Sequence, residues 1–283
     1  MFITEREDNV NIIKNTLEIG VEKPFTFLHI SDIHLAETDE NDSAERRAFA
    51  DDRKRGFAYA PEFMKSVRDY VKETGYPLFN TGDMLDFITP ENLRITKEFG
   101  KETCMILVAG NHEYWHCAQN RFSFDDVPET YEAKNQSLAE VQEHLKGDIR
   151  FSCTEIGGVK LVCVDDTDYD IDKDIFEKLK AVEAEGKPII LFMHIPLYSE
   201  HLGSHAKYSL CAPEEYFEGC HPVDVFERRP EELTCRVVEH IRQSELIRYV
   251  FSGHTHANDE ILDKGEKNQI ITGCNTIREI TVI

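Results

Sequence analysis

Short apolar runs with little polar alternation recur along this chain, and stretches of helical periodicity separate them. The runs are "FTFLHI" (25–30), "PLFNTG" (77–82), "CMILVAG" (104–110), "IRFSC" (149–153), "VKLVCVDD" (159–166), "PIILFMH" (188–194), "IRYVFSG" (247–253), "NQIITG" (268–273) and "IREITVI" (277–283). Most lack alternation, as strands covered on both faces do. In "APEFMKSVRDYVKETG" the apolar positions Phe63, Val67, Tyr70 and Val71 keep helical spacing, with Pro61 near the start and Gly75 as a stop. "TPENLRITKEFG", "ETYEAKNQSLAEVQEHLKG", "DKDIFEKLKAVEAEG" and "RPEELTCRVVEHIRQS" read as helices in the same way. Strands alternating with helices specify an α/β fold. The C-terminal stretch is strand-rich, which predicts a second sheet or an antiparallel edge.

No internal repeat, low-complexity tract or Gly/Ser linker breaks the pattern, so residues 1–283 are read as one domain. Long segments follow three of the runs, at about 35–60, 113–129 and 197–229. Loops of that length are usually functional or disordered.

The residues at the run ends are more specific. After "FTFLHI" come Asp32 and His34; after "PLFN" come Asp83 and Asp86; after "CMILVA" come Asn111 and His112. His194 follows "PIILF", and His254 and His256 follow "IRYVF". Singly, each block has an ordinary explanation: a Gly-Asp or Gly-Asn turn, a core histidine, a solvated strand end. Together, at the carboxyl ends of α/β strands where ligands bind, they point to one site.

Imidazole, carboxylate and amide without thiolate suit manganese, iron or zinc. Seven potential ligands among these residues exceed what one four-coordinate ion takes and suit a pair. Two ions about 3.5–4 Å apart clamp the attacking and leaving oxygens of a phosphoryl centre. The formal charge of −22 bears on the same point. So acidic a surface repels long nucleic acid, and an anionic substrate needs local positive charge, which two cations supply.

The N-terminal "MFITEREDNV" does not read as a secretory signal, and no apolar run is long enough to span a bilayer. The eight cysteines include no C-x-x-C pair. Reduced, mostly buried thiols and a cytoplasmic location are therefore expected, with no membrane partner.

The order "DIH", "GDMLD", "GNHE", the histidine of "MHIP" and "GHTH" resembles the calcineurin-like metallophosphoesterase superfamily. The resemblance runs from Asp32 to His256. It implies a four-layer α/β/β/α sandwich, two mixed sheets flanked by helices, and a two-metal phosphoesterase. Carried over by position, it implies that Asp32, His34 and His256 hold one ion, that Asn111, His194 and His254 hold the other, and that Asp83 bridges them. His112 is then the catalytic histidine and Asp86 the carboxylate that orients it. The implied reaction is hydrolysis of a small phosphomonoester or phosphodiester by water activated between the ions.

The serine/threonine protein phosphatases of that superfamily carry arginines beside two of these blocks. Here Phe87 follows Asp86 and Ala109 precedes Gly110, so a phosphoprotein substrate is not expected. Substrate choice is assigned to the three long segments. His201, His205, Arg228 and Arg229 offer phosphate contacts or are solvated loop, and Tyr114 and Trp115 stack on a base or sugar or pack internally. A catalytically silent metal-binding scaffold and a nuclease for short oligonucleotides are the alternatives to the phosphoesterase.

Overall fold

The structure is a computed structural model and describes residues 3–7, 10–114, 131–213 and 231–283. In chain order the elements are β1 (Ile3–Glu7), β2 (Val10–Leu17), β3 (Phe25–Ile30), α1 (Ala44–Gly56), α2 (Ala60–Thr74), β4 (Leu78–Asn80), α3 (Pro90–Thr103) and β5 (Ile106–Leu107). There follow α4 (Tyr131–Gln142), β6 (Phe151–Ile156), β7 (Val159–Val164), α5 (Lys173–Glu183), β8 (Ile189–Phe192), α6 (Glu232–Gln243), β9 (Ile247–Ser252), β10 (Asp259–Ile261), β11 (Gln269–Ile271) and β12 (Thr276–Val282).

The strands form two six-stranded sheets, ordered β1-β2-β12-β3-β4-β5 and β10-β11-β9-β8-β7-β6. Both are mixed. In the first, β3, β4 and β5 run parallel while β12 is antiparallel to β3. In the second, β7, β8, β9 and β11 run parallel, and β6 and β10 form antiparallel edges.

Three apolar layers follow from residues alternating across strands buried on both faces. Leu28, Ile30 and Leu78 of the first sheet pack with Phe63 and Val67 of α2 and Leu93 and Phe99 of α3. Val162, Ile189 and Leu191 of the second pack with Ile175 and Leu179 of α5 and Val237 and Ile241 of α6. Phe27, Phe79, Phe192 and Phe251 meet between the sheets. There Phe79 stacks on Phe192 at 4.4 Å, and Phe27 meets Phe79, Phe192 and Phe251 edge-on at 5.5–5.6 Å. Helices, sheet, sheet and helices are thus the four layers.

Three sequence readings change. The segment 35–60 contains helix α1, which buries only Ala50 and so has no apolar stripe to detect. Its local chemistry is nevertheless helical: the Ser43 hydroxyl accepts the Arg46 N–H, Glu45 lies in the first turn, and Arg53, Lys54 and Arg55 in the last. β1, β2 and β10 were not among the strand candidates, because their sequences are polar on one face or short. Of the six described cysteines only Cys163 is buried, so thiols are not mostly interior; Cys104 ends α3 in a left-handed conformation and Cys153 lies on the edge strand β6. Of the two readings of Tyr114, the structure bears out internal packing: it is buried in the first apolar layer. Trp115, Arg228 and Arg229 lie outside the described residues. Among the described residues, no helix is long and apolar enough to cross a membrane.

Candidate metal centre

The turns that leave β3, β4, β5, β8 and β9 meet at one end of the two sheets. Main-chain bonds from Asp32, His34 and Leu35 N–H to Gly82, Asp83 and Met84 carbonyls extend the β3–β4 pairing beyond the strands. Gly253 N–H donates to the His194 carbonyl in the same way on the second sheet. Asp32, His34, Asp83, His254 and His256 all take positive φ, between 52° and 66°. Asp and His tolerate this region better than most side chains, yet each such residue stores on the order of 1 kcal/mol or more. Strain gathered on residues with ligating side chains is characteristic of a functional site.

The glycines beside these residues are required by space. A Cβ on Gly82 would come within 2.6 Å of the Gly110 backbone, and one on Gly110 would overlap Asp83 Oδ1. One on Gly253 would overlap the Ser31 hydroxyl and Asp32 Oδ2. The turns approach so closely that any side chain there would force them apart.

Asp32, His34, Asp83 and His256 each bring one ligating atom within 4.8 Å of the others, and Asp83, His194 and His254 do the same. Asp83 belongs to both groups. Its Oδ1 accepts the His112 amide at 2.9 Å, while its Oδ2 lies 3.6 Å from His34 Nε2 and 3.3 Å from His194 Nε2. Asn111 Oδ1 joins the second group, 3.0 Å from His194 Nε2 and 3.1 Å from His254 Nδ1. All seven sequence-derived ligand candidates therefore converge. His256 is the most open of them, with its side chain 43% exposed.

For three of the four ligand histidines the ring nitrogen facing away from the cluster has a fixed partner. His34 Nδ1 meets Asp86 Oδ1 at 2.9 Å, His194 Nδ1 meets the Thr81 carbonyl at 2.6 Å, and His254 Nε2 meets the Tyr169 hydroxyl at 2.8 Å. A proton donated outward leaves each inward nitrogen with its lone pair, the tautomer a metal needs. His34 and His256 bring their Nε2 atoms to 2.9 Å, and His194 Nε2 and His254 Nδ1 to 3.1 Å. Such nitrogen pairs beside carboxylates fit a cation between them.

The electrostatics agree. Burial disfavours charge on His34 and His194, yet the surrounding carboxylates, Asp83 above all for His194, prevail and lift them to about 9 and about 10. Burial and the His194 charge push His254 down to about 3. Burial favours neutral Asp83, but His194, His112 and His34 hold its carboxyl well below the usual range. Without metal, protons carry the positive charge this cluster of carboxylates demands.

His112 lies beside the first group, its ring edge-on to His34 at 4.6 Å. Its Nδ1 is 2.6 Å from the Asp86 carbonyl and 3.4 Å from Asp86 Oδ1. Asp86 thus reaches His112 mainly through its main chain, while its carboxylate faces His34. Burial pulls His112 down to about 4.

Sequence reasoning missed two supporting carboxylates and one arginine. Glu113, fully buried, accepts N–H bonds from Gly110, Asp83 and Met84 at 2.7–2.8 Å, tying two ligand turns together. Asp166 accepts the amides of His194 and Ile195 at 2.8 and 2.9 Å. Both were visible at run ends, in "GNHE" and "VDD", but their partners were not. Arg53 on α1 gives two hydrogen bonds to Asp86. His201 and His205 lie apart from the cluster, against Glu266 at 3.5 Å and Asp259 at 3.2 Å.

No curated protein sequence matches the chain. A dimetal phosphatase from Danio rerio is 12% identical, with a TM-score of 0.47, over 88% of this chain and 87% of that one. A purple acid phosphatase from yellow lupin seeds is 13% identical, with a TM-score of 0.49, over 96% of this chain but 46% of its own. A phosphopantetheinyl hydrolase from Mycobacterium tuberculosis is 14% identical, with a TM-score of 0.41, over 88% and 90%. The sequence profile of the calcineurin-like phosphoesterases matches residues 25–258, the span that carries every candidate ligand, and the chain belongs to that family.

Proposed function

We propose that this chain hydrolyses small phosphate esters, mono- or diesters, with a pair of metal ions of the manganese, iron or zinc class. The supporting observation is that Asp83 Oδ2 lies between His34 Nε2 and His194 Nε2, one from each ligand group. Asp32, His34 and His256 would hold one ion, Asn111, His194 and His254 the other, and Asp83 both. When bound, such a pair supplies Lewis-acid charge and lowers the pKa of water towards neutrality.

The chain's own residues do the rest. His112 is kept neutral by burial and oriented by the Asp86 carbonyl. The negative charge of an ester bound beside it would raise its pKa and let it hold a proton for the leaving oxygen. The acidic balance of the chain disfavours binding of long nucleic acid. A cytoplasmic setting without a membrane partner belongs to the same reading.

The test is hydrolysis of p-nitrophenyl phosphate and its bis ester in added Mn²⁺. His112→Ala should lower kcat by about 10²–10⁴-fold while retaining metal. Asp83→Ala should lose both. Wild-type turnover by His112→Ala would refute the role of His112. Inactivity on every ester with two ions bound would make the protein a metal-binding scaffold.

A further inference from the structure

We propose that Arg53 is a positioning residue for the metal centre, acting through Asp86 on His34. Its Nε and Nη2 reach Asp86 Oδ2 and Oδ1 at 2.5 and 2.6 Å, a two-point grip on a carboxylate that is 1% exposed. The same Oδ1 lies 2.9 Å from His34 Nδ1. A second path reaches the same ring. The Arg53 guanidinium lies 5.0 Å from the centroid of Phe57, and Phe57 stacks on His34 at 4.2 Å with planes 16° apart. Helix α1 and its C-cap residue Phe57 thus hold His34 by one hydrogen-bonded relay and one flat apolar contact.

A paired arginine fixes both the plane and the charge of Asp86, where lysine offers only a point charge. With Asp86 fixed, the proton of His34 stays on Nδ1, and Nε2 presents its lone pair towards Asp32, Asp83 and His256. Without Arg53 the carboxylate can turn, the outward proton loses its set acceptor, and the inward nitrogen is no longer kept for a ligand role. The second ligand group has separate outward partners, the Thr81 carbonyl and the Tyr169 hydroxyl. The effect is therefore specific to one ion.

This inference rests on the dinuclear reading, and Mn²⁺ binding tests the two separately. Equilibrium dialysis of wild-type protein should give two ions per chain. Arg53→Ala should keep one at wild-type affinity and weaken the other about 10–100-fold, with Arg53→Lys in between. Cobalt(II) absorption should change for one site only. Thermal unfolding checks that each variant folds, and Arg53→Lys provides the answer if Arg53→Ala does not. Two ions at wild-type affinity in Arg53→Ala, or equal weakening of both, would overturn the assignment. Wild-type protein binding fewer than two ions would instead overturn the dinuclear reading on which it rests.

Discussion

Glu113 Oε2 accepts the main-chain N–H of Asp83 at 2.8 Å and that of Gly110 at 2.7 Å, so one buried oxygen holds two ligand turns together. Its other oxygen accepts Met84 at 2.8 Å. Glu113→Gln puts an amide N–H₂ against buried donors and should destabilise the fold by about 2 kcal/mol; Glu113→Ala should cost at least about 3 kcal/mol. Urea denaturation with parallel metal analysis checks this, and metal retention should fall in the same order. Wild-type stability in Glu113→Ala would show that these amides find other acceptors.

Gly110 predicts a sharp steric effect. A methyl there would overlap Asp83 Oδ1 and lie 2.5 Å from its main-chain nitrogen. Gly110→Ala should lose stability by about 1–3 kcal/mol and lose metal by displacing Asp83. Gly56→Ala, with nothing within 4 Å of the added carbon, is the matched control. It should change stability by less than about 1 kcal/mol. Unimpaired metal binding in Gly110→Ala would contradict the close approach of the two turns.

Arg278 of β12 and Glu260 of β10 join the two sheets through a bond of 2.5 Å, with the Arg278 side chain 1% exposed. Asn15 and the Ile271 carbonyl take two further bonds from the guanidinium. Glu260→Ala leaves a buried cation without its carboxylate and should cost about 3–5 kcal/mol. A double replacement by well-packed apolar residues should recover most of that loss. Calorimetric unfolding distinguishes the two cases.

His29 predicts a pH dependence at the seam between the two sheets. It sits between the Thr81 hydroxyl at 2.9 Å and the Thr272 hydroxyl at 2.7 Å, linking the two sheets. Burial, then the Arg278 charge, hold its pKa well below the ordinary value. The unfolded imidazole takes up a proton below about pH 6.5 and the folded one does not. The unfolded state therefore binds more protons, and stability is lost as pH falls through that value, by at most about 1.4 kcal/mol per unit. Urea midpoints at pH 7.5, 6.5 and 5.5 should fall more, or rise less, towards acid in wild type than in His29→Gln, the difference being the His29 contribution. Equal slopes would refute it.

Much of this was legible in the linear chain. Nonalternating runs such as "IILF" required cover on both faces, and the sheets and the three apolar layers supply it. The ligand candidates were legible because each sits next to a strand end, a local property. Helix α1 was not, since its helical signals are a cap and end charges without an apolar stripe. Glu113 and Asp166 were in view as residue types, but a carboxylate that accepts distant amides has no local signature.

The sequence by itself determined the strand runs, most helices and the kinds of side chain at the strand exits, because propensity and periodicity act over a few residues. Only the tertiary structure decided which atoms meet: Asp86 with His34 and Arg53, Glu113 with the Asp83 and Gly110 amides, and Asp83 Oδ2 between histidines from both sheets. Those pairings join segments up to more than a hundred residues apart. They depend on how two sheets pack face to face, which no local pattern encodes.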